Sequence, residues 1–185
     1  MLRSDAIKVI LERVEEELVV SNLGDPSKEV YYTRDRPKNF YMLGSLGLAS
    51  SISLGLALSQ KEKVLCIDGD GSLLSNLGSL ATIANQKPGN LVIIALDNRT
   101  YGTTGNQKSY TSGSTDLENV ARACGFRVTY KAENEKKLLK ILNNCLKNDD
   151  LSFIHVLVKP SVQNIQNIPI DPIAIKTRFM NSLHR

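Results

Sequence analysis

Tryptophan is absent, and only 5% of the residues are aromatic, so a surface that stacks nucleic-acid bases is disfavoured. The charge balance is 23 Lys and Arg against 19 Asp and Glu, a net +4 with the lysines scattered. Nucleic-acid binding would need a basic stripe, and none is present. Long apolar runs are missing too. The stretch Leu91–Leu96 is far too short to span a bilayer. Residues 1–20 carry Asp5, Glu12, Glu15, Glu16 and Glu17, which is not the composition of a signal peptide. Cysteine is scarce: Cys66, Cys124 and Cys145 form an odd set without metal-ligand spacing. They read as free thiols in a reducing cytoplasm, with Cys66 a small core residue.

What remains is ordinary globular composition over 185 residues, enough for one domain with a sizeable core and too little for a second full one. We expect a single domain over residues 1–185, with 160–185 as a C-terminal tail. Abundant Leu, Ile and Val with a small net charge argue against disorder.

Apolar periodicity alternates along the chain. Ser4 can cap a helix whose apolar face is Ile7, Ile10, Leu11, Val14 and Leu18. Leu18–Ser21 reads as a short strand, Gly24-Asp25-Pro26 as a turn, and Ser27 as the cap of a short helix through Tyr32. Phe40–Leu43 is extended, and Gly44–Gly47 is a glycine-bounded turn. A helix rich in small residues follows, from about Leu46 to Ser59, and Val64–Ile67 is a buried strand. Ser72 then opens a helix to about Gln86, and Pro88-Gly89 marks a turn. Leu91–Leu96 is the continuous apolar run of a strand covered on both faces. Asp97–Ser114 reads as a long polar loop, functional or mobile. Thr115-Asp116-Leu117-Glu118 fits a capping box for a helix ending near Gly125. Val128–Tyr130 is a strand, and Glu133–Asn148 is a helix with Leu138, Leu139, Ile141, Leu142 and Leu146 inward. Phe153–Val158 is the last strand, and a short helix covers Ile173–Leu183. The fold class is therefore α/β: a parallel sheet with helices on both faces. Ligands of such sheets bind at the carboxyl ends of the strands. That rule directs attention to Leu43–Gly47, Asp68–Ser72 and Asp97–Ser114.

Gly69-Asp70-Gly71-Ser72 sits at a strand end and opens a helix. Two glycines allow close backbone approach, and the helix amides suit a phosphate. Asp70 would repel a bare phosphate, but it makes sense with a divalent cation between the two. Asp97-Asn98 ends the next strand, where Asn98 offers a neutral oxygen and the carbonyls of Arg99 and Thr100 could complete the shell. Taken alone, Gly-Asp-Gly is also compatible with a plain strand–helix turn. His155 lies within the last strand and reads as a packed or edge-strand histidine, and His184 lies in the tail. The glutamates at 12 and 15–17 read as a solvated helix face.

Gly-Asp-Gly followed, some two dozen residues later, by Asn98 resembles the motif of the thiamine diphosphate enzymes. The family's frequent Asn-Asn pair is here Asp97-Asn98. Leu43-Gly44-Ser45-Leu46-Gly47 is similar to the family segment in which an apolar side chain bends the cofactor. On its own Leu46 reads as a core leucine; within this constellation it matches the wedge. The segments Asn39–Ser50 and Tyr101–Gln107 resemble those of the sulfopyruvate and phosphonopyruvate decarboxylases, and the likeness spans roughly Val19–Val158.

That resemblance implies a 2-oxo acid decarboxylase using thiamine diphosphate and Mg²⁺. Asp70, Asn98 and the Thr100 carbonyl would bind Mg²⁺. Gly71 and Ser72 would face the diphosphate, and the Gly44 carbonyl would accept from the aminopyrimidine. Ser45, Gly69, Tyr101 and Gly102 complete the implied cofactor-binding set. No residue of the chain matches the glutamate that activates the cofactor in this family. The resemblance therefore implies a hetero-oligomer in which an alpha subunit carries the pyrimidine-binding half. The substrate would be a small anionic 2-oxo acid, the segment Tyr101–Gly113 a lid, and Lys108, Arg34 or Arg36 anion contacts that the residues themselves do not favour. The competing classes are another thiamine enzyme's beta chain (a 2-oxo acid:ferredoxin oxidoreductase or a carboligating synthase) and a nonenzymatic nucleotide-binding module.

Overall fold

The apolar strand segments are the parts of the chain whose sequence most constrains their structure. In a computed structural model that describes residues 1–161 and 164–183, they assemble into a parallel sheet. The elements run α1 (Arg3–Leu11), β1 (Leu18–Ser21), α2 (Asp25–Thr33), β2 (Asn39–Tyr41), α3 (Ala49–Ser59), β3 (Val64–Gly69), α4 (Asp70–Ser75), α5 (Gly78–Gln86) and β4 (Leu91–Asp97). They continue with β5 (Thr100–Tyr101), β6 (Gln107–Lys108), a 3-10 turn (Tyr110–Ser112), α6 (Leu117–Cys124), β7 (Val128–Ala132), α7 (Glu135–Lys147), β8 (Ser152–Leu157) and α8 (Pro172–Asn181).

Six strands pair in the order β2-β1-β3-β4-β8-β7, and all of these pairings are parallel. Alternate residues of β3 and β4 serve two cores, as the two-residue strand period requires. Leu65, Ile67, Val92 and Ile94 meet α1, α2 and α7 on one face. Cys66, Ile93 and Ala95 meet α3, α5 and α6 on the other. The expected α/β class therefore holds. Cys66 is buried in the second core, and the cysteines are unpaired. Among the described residues, no helix is long and apolar enough to cross a membrane.

Several helix ends differ from the sequence reading, some for local reasons and some for tertiary ones. Ser4 is not the cap of α1. The helix starts after Leu2, whose N–H is accepted by Asp5. It stops at Leu11 instead of running through Val14, where the Arg34 guanidinium takes the carbonyls of Leu11 and Val14. Arg36 similarly donates to the carbonyls of Glu15 and Glu17. Both arginines thus serve the backbone. Ser27 lies inside α2, and its hydroxyl donates back to Asn22 O at 2.8 Å. The helix expected from Ser72 to Gln86 starts at Asp70 and is broken at Asn76, whose side-chain amide bonds the Gly47 carbonyl at 3.0 Å. Asp116, not Thr115, caps α6, and Glu118 instead pairs with Arg122 at 2.9 Å. Leu139 and Leu146 are only half-buried, and Cys145 takes the inward place. The expected 97–114 loop contains the antiparallel β5–β6 hairpin and the 3-10 turn. His184 lies outside the described residues.

Helix α8 closes the β2 edge of the sheet. Phe179 packs on Phe40, their ring centroids 5.4 Å apart, and Arg178 makes two 2.7 Å bonds to Asp35. Tyr41 also donates to Asp35 at 2.7 Å. Burial pushes the Asp35 carboxyl up, but its bonds to Arg178 and Tyr41 outweigh that and leave it below its ordinary value. The stabilisation is therefore present above the unfolded carboxylate range, about pH 3.9, and lost as pH falls through the depressed folded value. Asp35→Asn should loosen α8 at neutral pH at a cost of at most about 1 kcal/mol. Faster amide exchange confined to Pro172–Asn181 is the expected readout. Unchanged exchange there would show that the apolar contacts of Ile175 and Phe179 hold the helix.

Candidate active site at the carboxyl edge of the sheet

The chain leaves β1 toward β2 on one side, and β3 is followed by β4 on the other. Loops diverge at such a switch point and leave a crevice at the strand ends. A cleft of about 300 Å³ opens there. Its walls include Leu46, Gly69, Asp70, Gly71, Ser72, Asn98, Thr100, Tyr101 and Gly102. Nine of the eleven residues singled out from sequence as a cofactor site thus converge. Gly44 and Ser45 line an adjoining groove with Leu43 and Leu48. Sequence reasoning missed Asn22, Leu23, Pro26 and Arg3, which also line the cleft. A polar residue immediately after Leu18–Ser21, at another strand end, was the available signal for Asn22. Arg3 is already engaged by Glu29 at 2.7 Å and Asp25 at 3.1 Å.

The β5–β6 hairpin lies across this edge and needs two glycines beneath it. A Cβ at Gly71 would collide with Tyr101 Cε1, and one at Gly24 would come within 2.8 Å of Thr103 Oγ1. The turn carrying Leu46 is tied to α4 from both ends: Gly47 N–H donates to Ser72 Oγ at 3.1 Å, and Asn76 Nδ2 donates to Gly47 O. Leu46 itself is 49% exposed, which rules out the core-leucine reading. No side chain caps the first turn of α4, so its amides are left to other acceptors.

Gly69 and Leu96 are partners in the β3–β4 register, so Asp70 and Asp97 follow at the same level. Both are buried. Ser109 Oγ donates to Asp70 Oδ2 at 2.5 Å, and Thr111 Oγ1 lies 2.8 Å from Asp97 Oδ1 and 3.3 Å from Asp70 Oδ2. Asp97 Oδ2 is 2.8 Å from His155 Nε2. A carboxylate only accepts, so Nε2 carries the proton. His155 is therefore packed, as expected, but on an internal strand and not an edge one.

The electrostatics of the three aspartates differ. Burial raises Asp70, bonds from Ser109 and Thr111 oppose it, and the charge of Asp97 adds to the rise, so Asp70 stays above its ordinary value. Burial also pushes Asp97 up, but bonds from His155, Thr111 and the Arg99 N–H leave it net lowered. Burial lifts Asp68 to about 6 against bonds from Ser72 and the Gly69 N–H. Its Oδ2 has no hydrogen-bond partner, nor does the buried Thr100 hydroxyl.

Among the described residues there is no group of three or more His, Cys, Asp or Glu that could hold a metal. The donor set at the cleft is of another kind: one buried carboxylate (Asp70), one side-chain amide (Asn98) and nearby backbone carbonyls. Hard oxygen donors of this sort, few in number, suit a cation that keeps other ligands from a phosphate. Asn98 Oδ1 already accepts the Thr100 N–H at 3.0 Å, and an amide oxygen has a second lone pair to offer.

The chain matches the family described as thiamine pyrophosphate enzyme, C-terminal TPP binding domain, over residues 23–156. The beta subunit of sulfopyruvate decarboxylase from Methanocaldococcus jannaschii is 48% identical over 184 residues, spanning 99% of this chain and 97% of that one. Phosphonopyruvate decarboxylase from Streptomyces viridochromogenes is 36% identical over 93% of this chain but only 43% of its own length. Benzoylformate decarboxylase from Polynucleobacter necessarius shares the fold with a TM-score of 0.71 at 20% identity, over 88% of this chain and 34% of that one.

The contact between Gly71 and Tyr101 makes a direct prediction. Gly71→Ala should cost about 1–3 kcal/mol by overpacking and swing the Tyr101 ring away, visible in near-ultraviolet circular dichroism. Gly71→Ala with Tyr101→Ala should recover most of the melting temperature. No recovery would place the strain in the backbone of α4 instead.

Proposed function

The chain belongs to the thiamine pyrophosphate enzymes, whose C-terminal TPP-binding domain it matches, and from that premise we propose that it is the cofactor-binding beta subunit of a sulfopyruvate decarboxylase. The reaction would release CO₂ from 3-sulfopyruvate and leave sulfoacetaldehyde, a step of coenzyme M biosynthesis. One observation carries the reading: the likeness to a protein named as a beta subunit runs over nearly the full length of both chains. A phosphonate in place of the sulfonate is the second reading, favoured by the 36% identity to a phosphonopyruvate decarboxylase.

Thiamine diphosphate, when bound, supplies the electron sink that allows a 2-oxo acid to lose CO₂. This chain's part is to hold and orient. Asp70, Asn98 and the Thr100 carbonyl would hold Mg²⁺. The uncapped first-turn amides of Gly71 and Ser72 would take diphosphate oxygens, with Gly69 allowing close approach. The Gly44 carbonyl and Leu46 would seat the organic rings, with Ser45 keeping the turn between them in a left-handed conformation (φ 63°). Tyr101 and Gly102, in the hairpin, would keep water from the bound diphosphate. The fit is supported by the partnerless Thr100 hydroxyl and by an exposed leucine standing beside the buried carboxylate.

Among the described residues no glutamate lines the cleft. Glu29 is spent on Arg3 and Glu118 on Arg122. The activating carboxylate would come from an alpha subunit closing over Leu43, Leu46 and Leu48, which are 56%, 49% and 43% exposed. The three free thiols support a place in the cytoplasm.

The test is co-expression with an alpha subunit and measurement of CO₂ release from sulfopyruvate, phosphonopyruvate and pyruvate. Sulfopyruvate should be the preferred substrate, and release from none of the three would overturn the decarboxylase reading. Asp70→Ala should weaken Mg²⁺-dependent cofactor binding by more than the roughly 10–100-fold that outer-sphere changes cost metal sites. Calorimetric titration reads this, and unchanged binding would remove Asp70 from the metal. Leu46→Ala should lower the rate while stability changes by no more than about 0.5 kcal/mol, as for an exposed side chain.

A further inference from the structure

We propose that His155 is a positioning residue for Asp70: through Asp97 and Thr111 it pins the turn at Ser109–Ser112 against that carboxylate and so determines how it faces a cation. The inference rests on the reading of Asp70 as a Mg²⁺ ligand and extends it to a strand two places away in the sheet.

The five side chains form one buried chain of contacts. His155 Nε2 donates to Asp97 Oδ2 at 2.8 Å. The other oxygen of Asp97 accepts from Thr111 Oγ1 and from the Arg99 N–H, each at 2.8 Å. The hydroxyls of Thr111 and Ser109 are 2.8 Å apart, and Ser109 donates to Asp70 Oδ2 at 2.5 Å. All five residues are buried. Bonds in such surroundings polarise one another, and an unpaired member is costly.

A merely space-filling role does not account for His155. Its Nδ1 is buried without a hydrogen-bond partner and lies 3.7 Å from Asp116 Oδ1. Asp116 is itself held by Lys131 through its other oxygen. An imidazole that leaves one nitrogen unsatisfied is a poorer core residue than leucine. What it contributes is the Nε2 proton. Remove that proton and Asp97 Oδ2 becomes a buried, unpaired charge. Thr111 already donates to Asp97 Oδ1, and Ser109, 2.8 Å beyond it, donates to Asp70; movement of this hydroxyl pair toward the unpaired oxygen draws the turn off Asp70. Outer groups that orient a ligating carboxylate act on metal affinity in this way.

The experiment uses the complex with its alpha subunit and titrates Mg²⁺ in the presence of thiamine diphosphate by calorimetry. His155→Phe should raise the half-saturating Mg²⁺ concentration roughly 10-fold, while the rate at saturating Mg²⁺ falls far less. His155→Gln, which keeps an N–H donor, should recover most of the affinity. Thr111→Val should reproduce the loss, and the pair His155→Phe with Thr111→Val should be no worse than either alone. Additive losses, or a normal Mg²⁺ requirement in His155→Phe, would overturn the relay. Asp70→Ala, run alongside, separates the two readings. If it abolishes Mg²⁺-dependent binding while His155→Phe does nothing, the relay fails and the metal assignment stands. If it leaves that binding intact, the metal assignment itself fails. Thr111→Val with Ser109→Ala carries the test should the His155 variants not fold.

Discussion

The register between β3 and β4 delivers two carboxylates into one buried space. Gly69 faces Leu96, so Asp70 and Asp97 emerge together at the sheet's edge. Two like charges cannot share a desolvated site without help. The help comes from opposite directions. His155 reaches up from β8 on the far side of β4, and the chain after Asp97 turns back to place Ser109 and Thr111 between the two acids. The outcome is asymmetric. Asp97 gains an imidazole donor, a hydroxyl and a backbone N–H, and its charge is stabilised. Asp70 gains two hydroxyls and its own backbone N–H but no imidazole, and remains raised. The acid without an imidazole donor is the one that lines the cleft, where it is open to an external cation.

The rest of the edge is arranged around that pair. The hairpin that carries the chain toward Ser109 must cross the switch-point crevice, which is why Tyr101 and Thr103 rest on Gly71 and Gly24. The Leu46 turn does not float beside the acidic site. Its two bonds to Ser72 and Asn76 fix it to the helix that begins with Asp70. The break at Asn76 follows from this, because the side chain that interrupts the α4–α5 helix is the one that holds the Gly47 carbonyl. The apolar wall, the uncapped amides and the buried carboxylate are therefore parts of one rigid unit.

The legible features were those written locally. Leu18–Ser21 is a strand to the residue, and the run Leu91–Leu96 is β4 short of its final Asp97. Burial on both faces leaves little choice for such segments. Helix ends were less legible because distant groups set them: Arg34 for the end of α1, and Gly47 for the break after α4. The hairpin was hidden because two-residue strands carry no periodicity. In the site, Gly-Asp-Gly and Asn98 stood out through the resemblance and their strand-end placement. His155 could not, since its partner depends on β8 lying next to β4, and chain order puts three strands (β5, β6 and β7), a 3-10 turn and two α-helices between them.

The parallel sheet carries the cleft at its carboxyl edge and has both faces covered. The edge itself is not covered. Leu46 stands exposed at the cleft, and Leu43 and Leu48 stand exposed in the groove lined by Gly44 and Ser45. On the proposed reading, these exposed leucines are the surface that an alpha subunit would close over. The chain's glutamates point to the same conclusion. Glu29 is committed to Arg3 at the cleft wall and Glu118 to Arg122, while Glu12, Glu15 and Glu16 are exposed before β1, at the opposite edge of the sheet. A carboxylate able to act on a bound cofactor would have to enter through the leucine rim. On the proposed reading, one surface meets both demands, and the subunit that buries the leucines is the one that brings the acid.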